Sequence, residues 1–233
     1  MPLDVTQLLQ RQAVQREMQR RLGTHAVGLP CIALSRFPGS GAAALGQEVA
    51  KELGFIFLGI EIVDRMARED GVPLQLAAAF DEHVRNGIDR YVVDAFRADA
   101  FVESDYLRHL VRTVRSIGEA GGAVILGRGS SYILSPGRTL RVLVVAPRDA
   151  RTENLAKARG LTPAEAKREI EREDEERKRF LSHHFRADPD DLTQYDLCVN
   201  TSLLPQAAAC AAIVAALRSR FGLASGRESI AKG

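Results

Sequence analysis

The sequence predicts an α/β fold in which a parallel, five-stranded sheet is covered by helices on both faces. Three observations carry this. Five short runs, Cys31–Leu34, Phe55–Leu58, Ala123–Leu126, Leu140–Val145 and Leu197–Val199, are apolar without alternation, as strands buried on both faces are. Longer stretches with apolar residues at helical spacing separate them, so strand and helix alternate. The 233 residues, 45% hydrophobic and 27% charged, suffice for one such domain with its own core.

Taken in order, residues 4–22 predict an amphipathic helix, with Val14, Met18 and Leu22 at i, i+4 and i+8. It precedes the first strand, so it is an appendage, and it is the one hint of a homodimer. The domain proper is expected over residues 30–222, with 1–29 as helix and linker and 223–233 as a frayed tail. Cys31–Leu34 meets a turn of Arg, Pro, Ser and Gly and enters a small-residue helix through Leu45, Val49 and Leu53. Phe55–Leu58 is the second strand, and Glu61–Glu69 a helix with Asp64, Arg65 and Arg68 on its polar side. Val72-Pro73 breaks the chain, and 74–101 reads as irregular helix interrupted at Gly87. Leu107, Leu110, Val111, Val114 and Ile117 share one face of a helix over Asp105–Ala120. Gly121-Gly122 ends it, the strand Ala123–Leu126 follows, and that strand runs into Gly127-Arg128-Gly129-Ser130-Ser131. After Leu140–Val145 comes a helix over Asp149–Arg159. Thr162-Pro163-Ala164-Glu165 is a capping box with proline at the first helical position, opening a charged helix to about His184. Asp188–Asp191 is loop, and Pro205–Phe221 closes the domain as an Ala-rich helix.

In parallel sheets ligands bind beyond the carboxyl ends of the strands. Here those ends carry the loops 35–43, 59–64, 127–131, 146–151 and 200–204. The first, in CIALSRFPGSGAAALG, has the strand–glycine loop–helix order that offers backbone N–H groups and a positive helix end to a phosphate. Against the pattern G-x-x-x-x-G-K-[ST] the match is poor: Arg36 takes the first glycine's place, Gly41 fits, and Ala42 and Ala43 replace the lysine and hydroxyl. A tight strand–helix turn, with glycine and proline there for backbone reasons, is the other reading.

Composition excludes several classes. A formal net charge of +2 gives no footing for nucleic acid, and no apolar run reaches the ~20 residues of a membrane span. Without a signal-peptide core at the N-terminus, the expected location is the cytoplasm. Cys31, Cys198 and Cys210, odd in number and far apart, read as buried free thiols without disulfide or zinc spacing. Lysine occurs only at Lys51, Lys157, Lys167, Lys178 and Lys232, so arginine supplies nearly all the cations, and its fork suits phosphate and carboxylate. High-GC coding bias accounts for the same excess.

Arg128, between two glycines after a buried strand, would project over the sheet edge toward a ligand, or else pair with a nearby carboxylate as a turn residue. In EIEREDEERKRF, Arg172, Glu176 and Arg179 fall at i, i+4 and i+7. A carboxylate between two arginines could fix a clamp for a transferring phosphate, although surface ion pairs give the same pattern. His183 and His184 point about 100° apart on a helix, so no metal site is expected there. No G-x-S-x-G elbow is present, and no Ser-His-Asp arrangement can be assembled.

The order SRFPGSGAAALG, GFIFLGIEIVDR, ESDYLR, AVILGRGSSYIL, RVLVVAP, EREDEERKRF and YDLCVNTSLL resembles the cytidylate kinase-like family of P-loop nucleoside monophosphate kinases, over about residues 30–222. That resemblance implies a three-layer α/β/α kinase fold with a helical lid at about 160–190. It implies ATP and Mg²⁺ as cofactors and a nucleoside monophosphate, CMP or dCMP first, as phosphoryl acceptor. By the same likeness Arg36–Ala43 wraps the ATP phosphates, with Gly39, Ser40 and Gly41 cradling them and Ala42 and Ala43 opening the helix. Arg128 contacts the monophosphate. Arg172, Glu176 and Arg179 belong to the lid, Asp64 lies near the acceptor, and Asn200 and Thr201 lie near the adenine. The departures are Ala42 and Ala43, where such kinases carry a lysine that bridges the β- and γ-phosphates and a hydroxyl on Mg²⁺. Each loss is expected to cost on the order of 10²–10³ in rate. Arg36 is the candidate for the missing charge and Ser40 for the missing ligand. Relatives with a lysine-less loop are similar in this stretch. Two readings follow: an ATP-dependent kinase, or a nucleotide-binding regulatory protein that has lost turnover.

Overall fold

A computed structural model describes residues 29–68 and 105–223. Five strands, β1 (Cys31–Arg36), β2 (Ile56–Leu58), β3 (Ala123–Leu126), β4 (Thr139–Val145) and β5 (Leu197–Asn200), form one sheet in the order β2-β3-β1-β4-β5. Every pairing is parallel, with Ile32 opposite both Val124 and Leu140, and Val142 opposite Leu197. Strand β1, in the middle, is apolar on both faces because both are covered: Cys31 and Ala33 look one way, Ile32 and Leu34 the other, each at 1% exposure or less.

Helices α1 (Ala42–Leu53) and, at the end of the chain, α7 (Gln206–Phe221) cover one face. Leu45, Val49, Ile213, Val214 and Leu217 pack there on Ile32, Leu34, Val124, Val142 and Val199. Helices α2 (Ile60–Arg68) and α3 (Asp105–Ala120) cover the other, where Val63, Leu107, Leu110, Val111, Val114 and Ile117 meet Cys31, Ala33, Leu58, Ala123 and Ile125. The result is a three-layer α/β/α fold with the expected strands. Helices α5 (Arg148–Arg159) and α6 (Pro163–Phe185) form a hairpin with a small core of its own, Leu155, Ala166 and Ile170. The Thr162 capping box starts α6: its Oγ1 accepts from Glu165 N at 3.3 Å, and Glu165 Oε2 accepts from Thr162 N at 2.9 Å.

Some local expectations change. Strand β1 runs two residues further, because Ser35 and Arg36 stay paired with Leu143 and Val144 of β4. A short helix, α4 (Ser130–Ile133), follows Gly129 directly. Cys198 is exposed rather than buried, while Cys31 and Cys210 are buried as free thiols. Strand β5 is an edge: Val199 is buried on the face that α7 covers, Leu197 packs half-buried on the same face, and Cys198 is left outside. Burial pushes the Cys31 thiol up to about 11. No helix among the described residues is long and apolar enough to cross a membrane. The helix over 4–22, with the homodimer hint it carries, the break at Val72-Pro73, the segment 74–101 and the tail from 224 lie outside the described residues.

Candidate phosphate-binding cleft

Two glycine-framed turns lie side by side at the carboxyl ends of neighbouring strands. After β1, Gly39 and Gly41 take left-handed φ values of 76° and 74°, and Gly41 caps α1 with no side chain bonded to its first turn. Glycine at 39 is obligatory on space as well as on φ, since a Cβ there would lie 2.3 Å from the Arg151 carbonyl oxygen. Neighbours hold this loop from outside. Asn154 Nδ2 donates to the Gly39 carbonyl at 3.0 Å, and Thr201 Oγ1 to the Ser40 carbonyl at 2.8 Å. Phe37 N donates to Val144 O at 3.2 Å, and the guanidinium groups of Arg151 and Arg177 lie over the Phe37 ring, 5.1 and 4.8 Å from its centroid. Arg151, buried at 7% exposure, is fixed by both oxygens of Asp174 at 3.1 Å and donates to Pro38 O at 3.3 Å. Ser40 is 1% exposed and its Oγ has no partner, the kind of orphaned group that a ligand satisfies.

After β3, Gly127, Arg128 and Gly129 are all left-handed, with φ 74°, 52° and 70°. For arginine that backbone region costs energy and persists only where the surroundings impose it. Arg128 Nη2 donates to Asp64 Oδ2 at 2.5 Å, and Asp64 Oδ1 accepts from the Tyr106 hydroxyl at 2.6 Å. The Arg128 guanidinium also lies 5.9 Å from the Phe180 ring.

Between these turns and helix α6 is a cavity of about 290 Å³. Five arginines, Arg36, Arg128, Arg159, Arg172 and Arg177, line it together with Glu61, Glu173 and Glu176. Such an excess of guanidinium groups in a cleft suits a phosphate-bearing ligand.

Of the residues singled out in the sequence, Arg36, Arg128, Arg172 and Glu176 line this cavity. Arg172 is exposed and bonded to Glu169 at 2.6 Å and Glu176 at 2.5 Å, which raises its pKa. Arg179 does not join them. It is exposed, off the cavity, and its Nε donates to Glu175 O at 3.4 Å. Beside Arg172 and Glu176, α6 also turns Glu173, Arg177 and Phe180 to the cavity, a set at i, i+4 and i+7 displaced one residue from the predicted one. Phe180 and Phe185, packed on the sheet core, were the available signal for it. Asp64 stands behind Arg128 rather than in the cavity. Gly39, Ser40 and Gly41 form the loop after β1 and do not line the cavity. Ala42 is buried against the core at 2% exposure, and Ala43 is exposed. Asn200 caps its own turn, its Oδ1 accepting from Ser202 N at 3.0 Å, while Thr201 fastens the loop. Arg159, Glu173, Arg177 and the Arg151–Asp174 pair were not foreseen; separated in sequence, they meet only because α5 and α6 fold into a hairpin. Among the described residues no group of three His, Cys, Asp or Glu side chains could hold a metal ion.

Comparison with known proteins bears on the family and the fold. The chain is 28% identical to a cytidylate kinase of Methanopyrus kandleri over 183 residues, which span 73% of this chain and 84% of that protein. It is 32% identical over 174 residues to a cytidylate kinase of Pyrococcus horikoshii, covering 73% and 79% respectively. An uncharacterized protein from Eubacterium ventriosum shares the fold, with a TM-score of 0.62 at 18% identity, over 82% of this chain and 98% of that one. The family described as cytidylate kinase-like matches residues 31–203. The family model spans most of the chain, and this chain belongs to the cytidylate kinase-like family.

Proposed function

We propose that this protein is an ATP- and Mg²⁺-dependent kinase that transfers the γ-phosphoryl group of ATP to a nucleoside monophosphate, with CMP and dCMP as first candidates. The observation that carries this reading is the meeting of five arginines in a cleft beside a glycine loop whose helix end lacks a side-chain cap. The residues fit a triphosphate. The loop offers Gly39 and Gly41 in left-handed conformations, an open helix N-terminus and the orphaned Ser40 Oγ. ATP supplies the phosphoryl group, and Mg²⁺ on its phosphate oxygens supplies charge neutralisation, with Ser40 the residue here that would approach the metal. The protein's own task is positioning and charge. Arg128, held by Asp64, orients the acceptor phosphate. Arg36, Arg172 and Arg177 gather negative charge, and α6 shields the cleft from water.

A second reading, a nucleotide-binding regulator without turnover, is favoured by Ala42 and Ala43. A coupled assay with ATP-Mg²⁺ against CMP, dCMP, UMP and AMP separates the two. Turnover with one acceptor is expected. Saturable ATP binding with no turnover on any acceptor would sink the kinase and leave the regulator. Arg36→Ala is expected to remove activity with the fold intact; unchanged activity would exclude Arg36 as the substitute for the missing lysine.

A further inference from the structure

Glu173 stands in the cleft between two arginines brought from different elements. Its Oε1 accepts from Arg159 Nη2 at 2.8 Å, and its Oε2 lies 3.7 Å from Arg36 Nη1. Arg36 comes from the end of β1, Arg159 from the last turn of α5 and Glu173 from the middle of α6. All three side chains line the cavity. The Arg36 contact is an ion pair beyond hydrogen-bonding range, so this largely buried guanidinium, at 24% exposure, is only partly satisfied. Burial lowers its pKa, and the charges of Glu173 and Glu61 act against that shift. Arg159 has a second partner, Glu169 at 3.0 Å, so it keeps an anchor if Glu173 withdraws.

We infer that Arg36 and Arg159 form an anion subsite for substrate phosphoryl oxygens, and that Glu173 is the internal counter-ion occupying it until a phosphate takes its place. One carboxylate shared by two forks is geometrically what a phosphoryl group offers, with less charge and fewer oxygens. A phosphate would therefore satisfy Arg36 better than Glu173 does. The subsite also bears on the loop: Ala42 brings no cation, and Arg36 and Arg159 bring two to its rim. The choice of phosphate as ligand rests on the kinase reading, but displacement of Glu173 can be measured without turnover.

The test is calorimetric titration of the full-length protein with inorganic pyrophosphate. Glu173→Gln removes the competing charge and keeps the shape. Its affinity is expected to rise about three- to tenfold, the scale of one partly screened ion pair released. Adding Arg159→Ala to that variant should abolish the gain. Equal or weaker binding by Glu173→Gln overturns the proposal, as does a gain that survives loss of Arg159. Thermal melting checks the fold. Should the glutamine variant not fold, Glu173→Asp, which draws the carboxylate back by one methylene, is read the same way: a gain supports the subsite and no gain overturns it. The two readings fail separately. A pyrophosphate gain without turnover on any acceptor supports the subsite and sinks the kinase, whereas turnover without a gain sinks the subsite alone.

Discussion

The two glycine turns are built alike and equipped differently. Each follows a central parallel strand, each bends through left-handed glycines, and each opens a helix. The turn after β3 carries its own cation, Arg128, held from behind by Asp64 and Tyr106. The turn after β1 carries none, has alanine where a lysine and a hydroxyl would stand, and is held in shape by Arg151, Asn154, Arg177 and Thr201. One turn is a charged contact with an internal brace. The other is bare backbone in an external frame, with its charge supplied from the rim by Arg36 and the α5–α6 hairpin. Charge and scaffold, joined in one turn, are divided among several elements in the other.

The largest effect should come from breaking that external frame. Asp174→Ala leaves Arg151 buried without its bidentate partner, and a loss of about 3–5 kcal/mol is expected in urea unfolding. A loss under about 1 kcal/mol would mean that the loop holds itself, as the other turn does. Next is the charge on the second turn. Arg128→Ala should lower kcat/KM for the acceptor by on the order of 10²–10³, with the melting temperature little changed. A loss of less than about fivefold would remove Arg128 from acceptor binding. Third, Gly39→Ala drives a methyl into the Arg151 carbonyl, at 2.3 Å, in a left-handed conformation, and is expected to destabilise by about 2–3 kcal/mol. An unaffected Gly39→Ala would show that the loop can stand clear of α5. Smallest is Arg179→Ala, which should change kcat/KM by less than about twofold because its side chain lies off the cleft. A larger loss would restore Arg172 and Arg179 as one clamp and reduce the weight given to Arg177.

The strands were legible because continuous apolar runs in a parallel sheet need no partner information. Arg128 was legible because glycines on both sides of a charged residue after a buried strand are a local signal. The face that α6 turns to the cleft was legible in part: Arg172 and Glu176 line the cavity and Arg179 does not. Arg172-Glu176-Arg179 and Glu173-Arg177-Phe180 have the same spacing, and only the docking of α6 against α5 and the core brings the second set in as well. The pairing of Asp64 was not legible: its carboxylate is filled by Arg128 and Tyr106, a contact across 42 residues of chain for the tyrosine. Cys198 misled because an apolar run does not announce that its strand lies at the sheet's edge.

The approach of Gly39 to the Arg151 carbonyl has a consequence for local unfolding. Surface loops ordinarily open by themselves, at little free-energy cost. Here the Phe37–Gly41 segment cannot swing out without parting from Arg151 and Asn154 of α5, Arg177 of α6 and Thr201 beyond β5. The segment therefore belongs to the cooperative unit of the α5–α6 hairpin. In hydrogen exchange, the Ser40 amide, bonded to Phe37 O at 3.2 Å, should open together with the hairpin's amides and lose protection with them when Asp174 is removed.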